Sequence, residues 1–274
     1  MKKIAVIGLG IIGGSICGAL TDAGYVVDGL DLNEKNVAYA IEKGYIRACA
    51  ENIAEYDVVF LATPPRATIQ WLEEGVFKDG ALVSDICGVK RAIEETVYGK
   101  ERNYCYVGLH PMAGKETSGI LSASPNLFKK ANIVITRSSH TNEQDLEEIK
   151  KYVTDMKFGK IVECTAEEHD RKIALTSQLA HLVSNAYVKS PQVKRCDGFT
   201  GGSFQDMTRI AGVDERMWTQ LYMLNQEYIL EELDLLISNL SAYKEALIHN
   251  DESALSEELK KGRLIREKIK RNND

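Results

Sequence analysis

The sequence predicts a two-part α/β chain: a doubly wound parallel sheet over residues 1–165, followed by an all-helical part over 166–274. Three observations predict it. Short apolar, β-branched runs alternate with helical stretches through the first part, and a glycine-rich turn follows the first run and opens a helix. Strand signals then cease after Glu163.

The strands are expected at Ile4 to Gly8, Val26 to Leu30, Val58 to Ala62, Ala81 to Ser84, Tyr106 to Leu109 and Ile133 to Thr136, with a shorter last run at Ile161 to Glu163. From Glu167 to Lys189 the apolar residues Ile173, Leu179, Leu182, Val183 and Ala186 recur at helical spacing and stop before Pro191. Gly198 to Gly202 reads as a loop. A second long helix is expected from about Asp214 to Leu247, carrying Trp218, Leu221, Leu224, Ile229, Leu233, Leu236 and Leu240. It is apolar over more of its circumference than a surface helix needs. Asp251 can cap a final helix bearing Leu255, Leu259, Leu264 and Ile269. Helices this broadly apolar cannot all be covered within one chain, which predicts a helical homodimer interface.

Of 274 residues, 44% are hydrophobic and 27% charged, ordinary globular usage that argues against disordered, collagenous and membrane classes. A net charge of -6 provides no electrostatic footprint for nucleic acid, and the basic tail from Lys260 to Arg271 is interleaved with Glu267 and apolar residues. Six cysteines are scattered without a Cys-x-x-Cys pair, which predicts reduced cytoplasmic thiols and neither a disulfide framework nor a metal site. The first apolar stretch, Ile4 to Ile7, runs straight into glycines and is too short for a signal peptide or a membrane span.

Gly8-Leu9-Gly10-Ile11-Ile12-Gly13-Gly14 follows the first strand and opens a helix, the context in which a Gly-x-Gly-x-x-Gly match predicts a Rossmann-type dinucleotide site. Gly8 permits the tight turn, Gly10 lets backbone approach a pyrophosphate, and Gly13 allows the helix to pack on the strand, with Ile11 and Ile12 beside the cofactor. Asp31 ends the second strand about twenty residues on, where its carboxylate can accept hydrogen bonds from the adenosine ribose. That favours NAD over NADP, since a 2′-phosphate would meet like charge; no arginine directly follows, and Lys35 is the nearby base. Thr63 and Pro64, in the loop after the third strand, are expected to border the cofactor.

Further motifs carry the chemistry. His110-Pro111-Met112-Ala113-Gly114-Lys115-Glu116 follows the fifth strand, Ser177-Gln178-Leu179-Ala180-His181 lies on the first long helix, and Asp206-Met207-Thr208-Arg209-Ile210-Ala211 precedes Trp218. With the glycine loop, in order and at fitting separations, these resemble the prephenate and arogenate dehydrogenases over essentially the whole chain. The resemblance implies NAD-dependent oxidative decarboxylation of prephenate to 4-hydroxyphenylpyruvate. It further implies His110 as the catalytic histidine, taking the proton of the ring hydroxyl, a task that suits an imidazole. Arg209 is implied as the partner of a substrate carboxylate, which its planar fork can hold in bidentate fashion. Ser177 and His181 match substrate-binding positions one helical turn apart, Glu116 a position that organises or gates the site, and Asp206 and Trp218 residues near the pocket.

The chain departs from the family pattern at one place. Where Asp-x-Gly-Ser-x-Lys is common, it reads Asp85-Ile86-Cys87-Gly88-Val89-Lys90, so Gly88 stands where a serine would contact the histidine and the cofactor. Either Cys87, a water or another hydroxyl takes over, or the contact is dispensable. Cys87 has no base paired with it and the reaction needs no covalent intermediate. The nearest rival is the same reaction on arogenate; more distant ones are a hydroxyacid dehydrogenase or imine reductase, and a non-catalytic NAD-sensing protein. A start at the first strand and an end soon after the last helix predict no fused mutase or regulatory domain, so that inhibition by tyrosine would act at the active site.

Overall fold

The computed structural model describes residues 2–114 and 117–271. β1 (Ile4–Ile7), β2 (Val27–Leu30), β3 (Val58–Leu61), β4 (Leu82–Asp85) and β5 (Cys105–Tyr106) form a parallel sheet of order β2-β1-β3-β4-β5. α1 (Ile11–Asp22), α2 (Glu34–Glu42), α3 (Pro65–Glu74) and α4 (Arg91–Tyr98) connect them. Successive strand residues point to opposite faces, so each strand feeds two cores. Ile4, Val6 and Phe60 pack with Ile16 and Leu20 of α1, whereas Ala5, Ile7, Val59 and Val83 pack with Leu72 of α3 and Ile93 of α4. Burial on both faces is why these strands read as continuous apolar runs. Because β1 has β2 on one side and β3 on the other, strand order reverses there, and the crevice outside their carboxyl ends is where such folds bind ligands.

The expected fifth strand divides. β5 closes the parallel sheet, and β6 (Gly108–Pro111) leaves it to pair antiparallel with β7 (Asn132–Thr136), which in turn pairs parallel with β8 (Lys160–Cys164). Gly108 makes the departure possible: a Cβ there would stand 2.5 Å from Thr136 Oγ1 and 2.9 Å from the Tyr106 hydroxyl. Apolar runs show that a strand exists and not which neighbour it chooses. α5 (Glu143–Asp155), capped by the Asn142 side chain, connects β7 to β8.

Helices follow to the end. α6 (Ala166–Ile173) is capped by Thr165, passes through a π-helical turn at Ala174–Leu179 and continues as α7 (Ala180–Tyr187); α8 (Gly202–Thr208) and α9 (Glu215–Leu224) come next. The single helix expected from Asp214 to Leu247 breaks at Asn225, after which α10 (Gln226–Ile248) and α11 (Glu252–Arg271) complete the described residues. Asn225 is buried, and its amide donates to the Asp170 carbonyl at 2.9 Å and to Gln178 Oε1 at 2.6 Å. A side chain committed inward at that point ends the helix; the apolar periodicity on either side carries no sign of it.

By compactness the chain divides into Met1–Asn225 and Gln226–Asp274. α6 belongs with the sheets because the Asp170 carboxylate accepts the backbone N–H groups of Lys90 (2.8 Å) and Arg91 (2.9 Å) at the start of α4. In the second unit α10 and α11 pack on each other, α11 capped by Asp251, while Leu235, Leu240, Leu247, Leu259 and Ile265 stay exposed. Among the described residues no helix is long and apolar enough to cross a membrane.

Candidate active site

The glycine loop is built by close approach. Gly8 has φ +92°, and a Cβ there would lie 2.4 Å from the Ala62 carbonyl oxygen; one on Gly13 would lie 1.8 Å from the Gly8 oxygen. Gly10 differs, with nothing within 4 Å of its Cβ position. It is the N-cap of α1, with no side-chain cap and no acidic residue in the first turn, so the positive end of the helix is left for an anion. Asp31 is fixed at the rim by accepting the Leu9 N–H at 2.6 Å on one oxygen and the Asn33 N–H at 2.8 Å on the other. A cavity of about 820 Å³ extends from Asp31 past Gly8, Gly10, Ile11 and Ile12 to Thr63, Pro64 and Gly88. Gly13 lies under the loop, outside the lining. The lining includes Asp31 and Glu74 but no lysine or arginine among the described residues. An uncapped helix start, a carboxylate after β2 and an absence of cationic lining fit NAD better than a cofactor bearing an extra phosphate.

At the other end of the cavity, a Cβ on Gly88 would lie 3.6 Å from His110 Nε2 and 3.4 Å from Leu221 Cδ2, so that imidazole edge borders the cleft floor. His110 sits within β6, and its Nδ1 lies 2.8 Å from His169 Nε2; His169 Nδ1 lies 2.6 Å from Asp170 Oδ1. His110 is half-buried and stands behind Gly88, outside the cavity lining. That burial foremost, then the neighbouring His169 and Lys90, holds it well below the ordinary histidine range. His169 is also lowered, by burial, with Asp170 opposing. Lys90 is fully buried and paired with Asp85, which also accepts the Tyr106 hydroxyl.

His169 and Asp170 escaped the sequence reading. They stand among Glu167, Glu168, Arg171 and Lys172, and so look like a solvated helix start; only their exposures of 1% and 0% set them apart. Cys87 does not substitute for the missing serine, since its thiol is engaged by Thr68 Oγ1 at 3.4 Å and the Thr63 carbonyl at 3.8 Å, and burial pushes it up to about 12.

Ser177, His181 and Trp218 form a second cluster outside that lining. The π turn presents the Ser177 carbonyl to His181 Nδ1 at 2.9 Å, and the His181 ring lies on Trp218 with centroids 4.0 Å apart. α9 joins the two places, since Met217 and Leu221 line the cavity and Trp218 faces His181. Asp206 on α8 and Arg209 just after it are exposed. Glu116 lies outside the described residues.

Two family models match: "Prephenate dehydrogenase, nucleotide-binding domain" over residues 16–163 and "Prephenate dehydrogenase, dimerization domain" over 165–261. A prephenate dehydrogenase of Lactococcus lactis subsp. cremoris is 31% identical over 97% of this chain and 77% of its own length. The crystal structure of prephenate dehydrogenase from Aquifex aeolicus with hydroxyphenyl propionate and NAD+ superposes with a TM-score of 0.84 at 27% identity, covering 98% of both chains. Arogenate dehydrogenase from Synechocystis superposes with a TM-score of 0.81 at 26% identity, covering 97% of this chain and 99% of that one.

Proposed function

This chain belongs to the prephenate dehydrogenase family, and from that premise we propose that it oxidises and decarboxylates prephenate to 4-hydroxyphenylpyruvate with NAD, in tyrosine biosynthesis. The observation that carries the reading is His110 at the cleft floor, held neutral by burial with Nε2 toward the cavity. His110 Nε2 takes the proton of the ring hydroxyl as hydride leaves the same carbon and the carbonyl forms; the electron pair of the broken bond to the ring carboxylate, lost as carbon dioxide, then passes through the ring to that oxygen, which takes the proton back from His110 as the ring aromatises. Bound NAD supplies the hydride acceptor. Gly8, Gly10, Ile11, Ile12, Gly13, Asp31, Thr63 and Pro64 hold it: the open helix start takes the pyrophosphate and Asp31 the ribose.

Arg209 meets a substrate carboxylate, Ser177, His181 and Trp218 hold the side chain, and Glu116 gates the site. Residues 1–165 serve as the NAD-binding domain and 166–274 as the substrate-binding and dimerisation domain of a cytoplasmic homodimer. The exposed apolar residues of α10 and α11 support that assembly. Mixing the protein with prephenate and NAD should raise NADH absorbance, and His110→Asn should bind NAD normally while losing on the order of 10²–10⁴ in turnover. Near-normal turnover in that variant would refute the assignment.

One observation favours a second reading. With Nδ1–H donating to the Ser177 carbonyl, a neutral His181 ring offers Nε2 only as an acceptor, which suits the ammonium of arogenate. A doubly protonated ring donates instead and suits the pyruvyl carboxylate. Comparing kcat/KM for the two substrates decides, and a higher value for arogenate would replace prephenate as the substrate.

A further inference from the structure

We propose that His169 and Asp170 are positioning residues that hold His110 in the tautomer whose Nε2 is unprotonated, so that a lone pair, and not an N–H, faces the cleft. The inference rests on the assignment of His110 as the proton acceptor. It begins at Asp170, whose Oδ1 accepts the Lys90 N–H and whose Oδ2 accepts the Arg91 N–H, each through backbone that cannot turn away. A carboxylate has only acceptors, so His169 Nδ1, 2.6 Å from Oδ1, must carry a hydrogen. A neutral His169 then has a bare Nε2. The nitrogen 2.8 Å from it, His110 Nδ1, has to supply the hydrogen of that contact, which leaves His110 Nε2 without one. The opposite order would set two lone pairs against each other beside the Asp170 carboxylate, in a site where His169 and Asp170 are 1% and 0% exposed.

The relay is anchored at both ends. Asp170 is tied to the start of α4 by its carboxylate and to Asn225 by its carbonyl, and His110 is fixed within β6. When His110 Nε2 takes the proton, the substrate O–H bond breaks, an N–H bond forms and His110 Nδ1 keeps its hydrogen. The resulting cation then lies one imidazole away from the Asp170 carboxylate. Among the described residues, the charged and titratable groups around it are Lys90, with Asp85, Tyr106 and Glu94 behind it, and His169 and Asp170 from α6, while α9 brings the apolar Leu221 to the same glycine. Asp170 is thus the carboxylate coupled to His110 through a hydrogen bond, the role in which a carboxylate fixes a histidine tautomer in unrelated sites.

The test compares His169→Phe, His169→Gln and Asp170→Asn, each alone and combined with His110→Asn, by turnover, its pH profile, prephenate KM and NAD affinity. His169→Phe should lower kcat about 10²-fold with prephenate KM and NAD affinity within about twofold. His169→Gln returns an acceptor to His110 Nδ1 and should recover part of that loss. Asp170→Asn removes negative charge near His110, so the acidic limb of kcat should move to lower pH. In the His110→Asn background none of the three should change the residual kcat by more than about twofold, because their effect passes through the missing ring. If Asp170→Asn fails to fold, having lost part of its hold on α4, the His169 pair carries the test. Additive losses in an already crippled His110→Asn protein would overturn the relay alone, as would a His169→Phe enzyme with unchanged kcat and pH profile. Full turnover in His110→Asn itself would overturn the underlying assignment and the relay together.

Discussion

Gly10 and Gly13 are spaced for different physical reasons, and a methyl group added to each separates binding from folding. At Gly10 nothing stands within 4 Å of the Cβ position, which lies on the cavity wall at the mouth of α1. Gly10→Ala should therefore leave the melting temperature within a few degrees of the parent, the small cost coming from replacing a favourable N-cap residue by a poor one. The same methyl occupies the space through which an anion reaches the backbone N–H groups of the first turn. Losing one charge-assisted hydrogen bond there costs about 1.5–3 kcal/mol, which raises the Kd for NAD roughly 10- to 150-fold. Turnover at saturating NAD should change far less. At Gly13 the methyl would stand 1.8 Å from the Gly8 carbonyl oxygen and 2.9 Å from Ala62 Cβ, so α1 must retreat until that first contact reaches an ordinary 3.4 Å. Alanine's helix propensity returns about 1 kcal/mol, which overpacking of 1–3 kcal/mol or more outweighs. Gly13→Ala should lose both stability and NAD binding. Quenching of Trp71 fluorescence, a residue of the cavity wall, reports NAD affinity, and thermal denaturation reports the fold. A Gly10→Ala protein with unchanged Kd, or a Gly13→Ala protein with unchanged melting temperature, would refute the reasoning.

Asp31→Ala should narrow the preference for NAD over NADP and also weaken NAD itself, because the same carboxylate holds the Leu9 N–H of the glycine loop; equal kcat/KM with both cofactors in the parent would remove the basis for this. His110 and His169 are held neutral in the fold, so below their ordinary pKa of 6.5 the unfolded chain takes up protons that the folded one refuses. Stability should fall as pH drops from about 6.5, by up to about 1.4 kcal/mol per pH unit for each histidine. His110→Asn should flatten that fall; denaturation curves at pH 7 and 5 that are equally displaced in parent and variant would contradict it. Light scattering should show a particle about twice the 30.5 kDa chain mass, and charged substitutions at Leu240 and Leu259 should reduce it; an active parent monomer would rule out the dimer.

Much of the fold was legible because its signals are local. The glycine spacing, the β-branched runs and the acidic residue after the second strand each reflect short-range demands, and all appear in the structure near the expected positions. Where pairing or burial decides, the sequence was silent. The run Tyr106 to Leu109 looked like one strand, yet Gly108 sends it into a second sheet, and with it His110 into the sheet that faces α6. Asn225 looked like one polar position on a long helix, yet its two inward hydrogen bonds end α9.

The sequence by itself determined the class of the fold, the dinucleotide loop and the residues that match a known dehydrogenase pattern, because glycine conformation, periodicity and motif order are properties of neighbouring residues. Only the tertiary structure decided what stands behind His110. A histidine and an aspartate in a highly charged helix start become a buried, fully hydrogen-bonded pair because β6 and the start of α4 converge on them from positions 59 residues and 79–80 residues away in sequence. Desolvation and hydrogen-bond direction, which set the tautomer and the charge of His110, exist only once those distant segments meet.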